Sequence, residues 1–187
     1  MITLFIDTHY KDIIVALFKD NTIIDKKIII NAKSTSVETM PTIINLLTDN
    51  KLNIKDVNRI AVDKGPGSFT GIRIGVTLAK VISYSLNIPI LSITSIQIMS
   101  LGHTFNGYYS VLENNGAFVA KDDDLNNILY FKKGEYLKFK ENNNVLENTD
   151  IDFLSLINYI TNMKPENSFN VNPVYIKNIE VLHDSKN

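Results

Sequence analysis

Asp7, the segment Gly65-Pro66-Gly67-Ser68, three histidines and the run Asp122-Asp123-Asp124 are where residue types and spacing could do chemistry in this chain. Asp7-Thr8 closes an apolar run and could hold a Mg²⁺ ion weakly through water. The alternative is a turn residue whose carboxylate bonds nearby backbone. Gly65 and Gly67 permit positive φ, and Pro66 fixes the chain between them. A glycine turn that feeds a helix N-terminus could cradle a phosphate. Asp7, Gly65 and Gly67 are therefore the candidate nucleotide or phosphate contacts, with a purely structural tight turn as the bland alternative. The turn is no Walker loop, because no Lys-Ser/Thr pair follows at the required spacing, and a third glycine of the dinucleotide fingerprint is missing. Ser68 stands in no Gly-x-Ser-x-Gly elbow and has no histidine nearby in sequence to act as base. His9, His103 and His183 are scattered and suggest structural or exposed roles. The acidic run lacks the spaced ligands and glycine of a calcium loop and reads as an exposed turn. No metal site and no resident cofactor are expected.

Composition narrows the classes further. The chain has 187 residues and no cysteine, which rules out disulfides, thiolate zinc sites and a cysteine nucleophile. A hydrophobic share of 44% with 21% charged residues is that of a soluble globular protein able to bury a core. A net charge of -1 argues against gripping nucleic acid alone through a basic field. The N-terminus has no basic n-region, and charge returns at Asp7, so a signal peptide is not expected. No apolar run is long enough to span a bilayer. Cytoplasmic residence is the expectation.

The elements that must position these residues follow from periodicity. Ile2–Ile6, Asp12–Phe18 and Thr22–Ile30 read as three strands of an antiparallel meander. Helical spacing then places Val37, Met40, Ile43, Ile44 and Leu47 on one face of a first helix, about Ser36 to Asn50, with Ser34, Thr35 or Ser36 as cap. Val57–Val62 reads as a strand that pairs in parallel after the crossover. A second helix runs from about Ser68 or Thr70 to Leu86. Ile90–Ser92 is a fifth strand, and Thr94 caps a short helix to Leu101. Beyond it, Tyr108–Leu112, Ala117–Lys121, Ile128–Lys132 and Tyr136–Lys140 read as strands, and Asp152–Ile160 as a helix. Asn142–Asn144 and the tail after His183 read as exposed.

On the second helix Gly71, Gly75, Ala79 and Ser83 form one stripe of small residues. A glycine inside a helix costs about 1 kcal/mol relative to alanine, which points to a close neighbour. That neighbour is either the chain's own sheet or a partner's helix, and the stripe does not choose between them. Arg73 and Lys80 flank it and could supply rim contacts.

The string Gly65-Pro66-Gly67-Ser68-Phe69-Thr70-Gly71-Ile72-Arg73-Ile74-Gly75 resembles the signature of the TsaB (YeaZ) family. Phe5-Ile6-Asp7-Thr8 is similar to that family's opening strand. Asn172-Pro173-Val174-Tyr175-Ile176-Lys177-Asn178 is similar to its C-terminal Pro-Val-Tyr-Leu-Arg-Asn segment. The resemblance is tight to about Leu101 and loose after it. Where many members carry Asp-Ala-Arg and Glu-Val-Tyr, this chain has Glu113-Asn114-Asn115 and Ala117-Phe118-Val119.

The resemblance implies an α/β actin-like ATPase (ribonuclease-H-like) fold. It would comprise a complete N-terminal subdomain, residues 1–103, and a reduced C-terminal one, residues 104–187. It also implies a non-catalytic subunit that binds and activates TsaD and works with the ATPase TsaE. Together they transfer threonylcarbamoyl to N6 of adenosine 37 in tRNAs that read ANN codons. tRNA is then an indirect partner, and the free chain is expected to form a homodimer. The catalytic subunit binds metal through two histidines four residues apart on its first helix, and Ser34–Met40 here contains none. The implied interface comprises Val37, Met40, Ile44 and Leu47 on the first helix. From the turn and second helix it adds Gly67, Ser68, Phe69, Thr70, Gly71, Arg73, Gly75 and Ala79. Two further readings stand beside this one: a nucleotide-dependent phosphotransferase of the same superfamily using Asp7, and a homodimeric scaffold with a different partner.

Overall fold

The first two strands are apolar on both sides, so they need cover on both faces, and the third, with Asp25, Lys26 and Lys27, suits an edge. In a computed structural model, which describes residues 1–176, they are β1 (Ile2–Asp7), β2 (Ile13–Lys19) and β3 (Thr22–Ile29). Helix α1 (Thr35–Asp49) leads to β4 (Arg59–Asp63), α2 (Phe69–Leu86), β5 (Ile90–Ile93) and α3 (Ser95–Ser100). The sheet order is β3-β2-β1-β4-β5. β1 pairs antiparallel with β2 and parallel with β4, and β4 pairs parallel with β5.

Alternation along the strands sorts two cores. Leu4, Ile6, Val15, Leu17 and Val62 point to one face, where Ile43, Leu46 and Leu47 of α1 and Ile72, Val76 and Ala79 of α2 cover them. Phe5, Ala16, Phe18, Ala61 and Leu91 point to the other, beneath Ile98 of α3 and a later helix, α5 (Phe153–Thr161). The meander–helix–strand–helix–strand order expected from sequence is the observed one, with ends shifted by a residue or two.

A second sheet, ordered β8-β7-β6-β9, is built from β6 (Tyr108–Glu113), β7 (Gly116–Lys121), β8 (Asp124–Lys132) and β9 (Val145–Glu147). Ile96 and Met99 of α3 pack on one side of it, and Tyr136 and Phe139 of α4 (Lys133–Glu141) on the other.

The expected strand Tyr136–Lys140 is therefore a helix. Its alternating apolar residues suggested period two, but Tyr136 and Phe139 are three apart and share a helix face, while Leu137 is exposed. Glu135 starts the helix by accepting the Lys132 N–H at 3.0 Å. β8 begins four residues earlier than expected, and β9 had no counterpart in the sequence reading.

The chain after residue 103 serves both sheets. α5 packs on the first, Glu166 bridges to Ile90, and Val171 enters the α1–α2 core. Lys177, Asn178, His183 and the tail after it lie outside the described residues.

Candidate functional site

The C-terminal ends of β1 and β4 are neighbours in the sheet, so the residues that leave them meet. Asp7 ends β1 and Asp63 ends β4, and both side chains are fully buried. His9 folds back between them, with Nδ1 2.7 Å from Asp7 Oδ1 and 3.1 Å from Asp63 Oδ2. The histidine is one-fifth exposed (20%), so the group is closed on the protein side and open on one edge.

The surrounding backbone holds each carboxylate by one oxygen. Asp7 Oδ1 accepts the His9 N–H at 2.9 Å. Asp63 Oδ1 accepts the Gly65 N–H at 2.7 Å and the Ser95 hydroxyl at 2.8 Å. Of the second oxygens, Asp63 Oδ2 pairs with His9 Nδ1, and Asp7 Oδ2 is buried without a hydrogen bond.

Charge follows from this geometry. Burial pulls the His9 pKa down, but the carboxylates of Asp7 and then Asp63 outweigh it, and the imidazole is held well above its ordinary value. Burial and then the charge of Asp7 push the Asp63 carboxyl up to about 6, against the opposing pull of His9.

The glycine turn is stitched onto this corner. Gly65 adopts φ +90 and its peptide with Pro66 is cis. Gly67 does not have positive φ. It is needed for proximity, since a Cβ there would lie 2.1 Å from the His9 carbonyl oxygen. That carbonyl accepts the Ser68 N–H at 2.6 Å, and Ser68 Oγ caps α2 by accepting the Gly71 N–H. The Gly65 and Ser68 amides are thus engaged internally, beside two carboxylates. This suits a cation better than a bare phosphate.

A cleft of about 460 Å³ opens next to the cluster, and Asp7, His9 and Ser95 line it. Ile14, Ile28 and Phe153 contribute apolar wall, and Lys26 and Asp12 are polar groups in the same lining. Sequence reasoning found Asp7 but neither His9 nor Asp63. The signal was the strand ends: Asp7 and Asp63 close two apolar runs that parallel pairing sets side by side.

The expected partner-interface residues divide into two sets. Val37 and Ile44 are exposed on α1 (67% and 41%), with Met40 half-buried beside them. Phe69, Thr70 and Arg73 are exposed on α2. Ser68 and Gly67 are half-buried in the turn.

Leu47, Gly71, Gly75 and Ala79 are buried. Leu47 and Ala79 sit in the core between the helices and the sheet. A Cβ at residue 71 would lie 2.1 Å from the Thr8 carbonyl oxygen, and one at residue 75 would lie 2.4 Å from Thr8 Oγ1. Gly71 and Gly75 of the small stripe therefore seat α2 on the chain's own β1 end. Asp122 and Asp123 form an exposed turn, with Asp123 paired to Lys121 at 2.7 Å.

A mixed five-stranded sheet covered by helices on both faces, followed by a smaller mixed sheet, is the α/β architecture of the actin-like ATPases. A family model described as TsaD, tRNA N6-adenosine threonylcarbamoyltransferase, matches residues 29–170, and the chain belongs to the TsaB/YeaZ family. Over 111 residues it is 41% identical to the tRNA threonylcarbamoyladenosine biosynthesis protein TsaB of Bacillus subtilis, covering 59% of this chain and 48% of that one. The Escherichia coli protein of the same name is 29% identical over 99 residues, 53% of this chain and 42% of that one. The chain spans about half the length of the curated relatives it matches. A solved structure of YeaZ from Pseudomonas aeruginosa superposes with a TM-score of 0.74 at 16% identity, covering 93% of this chain and 99% of that one. Among the described residues no helix is long and apolar enough to cross a membrane.

Proposed function

We propose that this chain is a non-catalytic cytoplasmic subunit that binds a TsaD-type threonylcarbamoyltransferase and supports its activity. The pathway is threonylcarbamoyladenosine formation on tRNA, at N6 of adenosine 37 in tRNAs that read ANN codons. TsaE and tRNA are met through the complex. The names of the relatives support the pathway, and one structural observation supports a docking surface. α1 and α2 lie side by side and present exposed apolar side chains: Val37 and Ile44 on α1 and Val81 on α2, with Phe69 and Tyr84 of α2 half-covered by Arg73, Tyr175 and Phe169. Such a patch on paired helices marks a protein interaction site. The same surface would form the two-fold dimer of the free chain.

Binding would act by favouring the competent conformation of the catalytic subunit, a shift of population that needs no chemistry from this chain. The phosphotransferase reading is weaker, because Asp7 is engaged with His9 and the turn amides nearby are occupied.

The test is co-purification with the cognate TsaD, followed by a tRNA modification assay. Wild type should give a stable complex and restore modification. A Val37→Glu, Ile44→Glu double variant should do neither while melting at the wild-type temperature. Wild type that neither binds TsaD nor supports modification would overturn the proposal, as would a double variant that binds normally.

A further inference from the structure

We propose that Asp7, His9 and Asp63 form a binding site for one divalent transition-metal ion, open to the cleft beside it. Three side chains from separate parts of the chain bring one ligand atom each to within 4.8 Å of one another. Nδ1 of His9 lies 2.7 and 3.1 Å from its two carboxylate neighbours. The ligand-to-ligand edge of a tetrahedral zinc site is about 3.3 Å for metal–ligand bonds near 2.0–2.1 Å. An ion would therefore need the Asp7–His9 edge to open by about 0.6 Å and the His9–Asp63 edge by about 0.2 Å.

An unpartnered oxygen is an independent sign. Asp7 Oδ2 is buried and unbonded, on a carboxylate whose side chain is 2% exposed. A buried carboxylate oxygen left without a partner is costly. Each carboxylate is anchored through Oδ1 by a backbone N–H, that of His9 or that of Gly65, and Ser95 adds a hydroxyl on Asp63. Asp7 thus has one oxygen fixed by the protein and one left free, which is how a carboxylate ligand is oriented by its surroundings.

The donor set points the same way. An imidazole in the set selects zinc over magnesium, calcium or manganese, which favour all-oxygen shells. Water from the cleft completes the shell.

The experiment uses the full chain, stripped with chelator, desalted, and titrated calorimetrically with Zn²⁺, Mn²⁺ and Mg²⁺. Metal content is read after gel filtration. Wild type should retain one zinc ion per chain, bind manganese more weakly, ignore magnesium, and melt at a higher temperature with zinc. Asp63→Asn keeps an acceptor for Gly65 and Ser95, so it should fold, yet bind zinc at least about tenfold more weakly. His9→Ser should do the same, and a His103→Asn control should bind as wild type does. Equal zinc binding by wild type and Asp63→Asn would overturn the site. So would no zinc binding by folded wild type, or loss of binding in His103→Asn alone.

Discussion

The Thr8 hydroxyl donates to the Gly71 carbonyl at 2.8 Å, and the Thr8 carbonyl occupies the space a side chain at residue 71 would need. α2 is thereby locked onto the end of β1 through main chain that cannot retreat. Gly71→Ala should destabilise the protein by about 2–3 kcal/mol, since a Cβ 2.1 Å from a carbonyl oxygen forces strand or helix to move. Gly134 in α4 has nothing within 4 Å of its Cβ position, and Gly134→Ala should instead stabilise by up to about 1 kcal/mol. Chemical denaturation of the two variants checks both signs in one experiment.

α1 offers a similar contrast between two neighbours on one helix. Leu47 is 1% exposed and Ile44 is 41% exposed. Leu47→Ala should cost about 2–5 kcal/mol through lost burial and the cavity left behind. Ile44→Ala should stay within about 0.5 kcal/mol. If docking uses the outer face, affinity for TsaD should fall in Ile44→Ala and survive in any Leu47→Ala protein that remains folded. The opposite pattern would place the partner on the inner face and contradict the packing.

How far sequence reached depends on how local the determinant is. β1 to α3 were legible because each element carries its own signal: apolar runs bounded by turns, Ser68 and Thr94 as caps, and Asn87 in the left-handed conformation at the end of α2. α4 was misread because Tyr136, Leu137 and Phe139 fit either period over so short a stretch. β9 was missed because three residues pairing with β6 carry no pattern of their own. The stripe on α2 was seen, but small residues serve a partner's backbone and the chain's own equally well. Only the position of Thr8 decides between them. His9 needed β1 and β4 placed side by side before it met Asp63, and no local spacing records that.

Arg73 ties the last described segment to α2. Its guanidinium lies 3.7 Å from the Phe69 ring centroid, and its Nε donates to the Tyr175 hydroxyl at 2.8 Å. Lys80 adds a hydrogen bond to the Val171 carbonyl at 2.9 Å. Arg73→Ala should cost only about 0.5–1 kcal/mol, as the pair is exposed. Arg73→Lys should not rescue it, because an ammonium cannot reproduce the planar stack. Hydrogen exchange should show faster exchange at residues 171–176 in both variants, with the β1–β4 core unchanged.

Glu147 gives the second sheet a pH dependence. It accepts from the Tyr136 hydroxyl and pairs with Lys140 at 2.8 Å, so β9 is tied to α4. Burial acts to raise its pKa, but the hydrogen bonds from Lys140 and Tyr136 prevail, and the carboxyl is held below the ordinary value of 4.5. A group with a depressed folded pKa stabilises above its unfolded value, and that stability is lost as pH falls through the folded one. The contribution is then complete above about pH 5 and disappears on acidification below 4.5. With the carboxylate about a quarter exposed (27%), about 1 kcal/mol is at stake. Glu147→Gln should be less stable than wild type by that amount at pH 7. The gap should close towards pH 3, where the wild-type side chain is also neutral. Denaturation at pH 7, 5, 4 and 3 measures it, and a gap that stays constant across the series would mean that the carboxylate's charge contributes nothing to this tie.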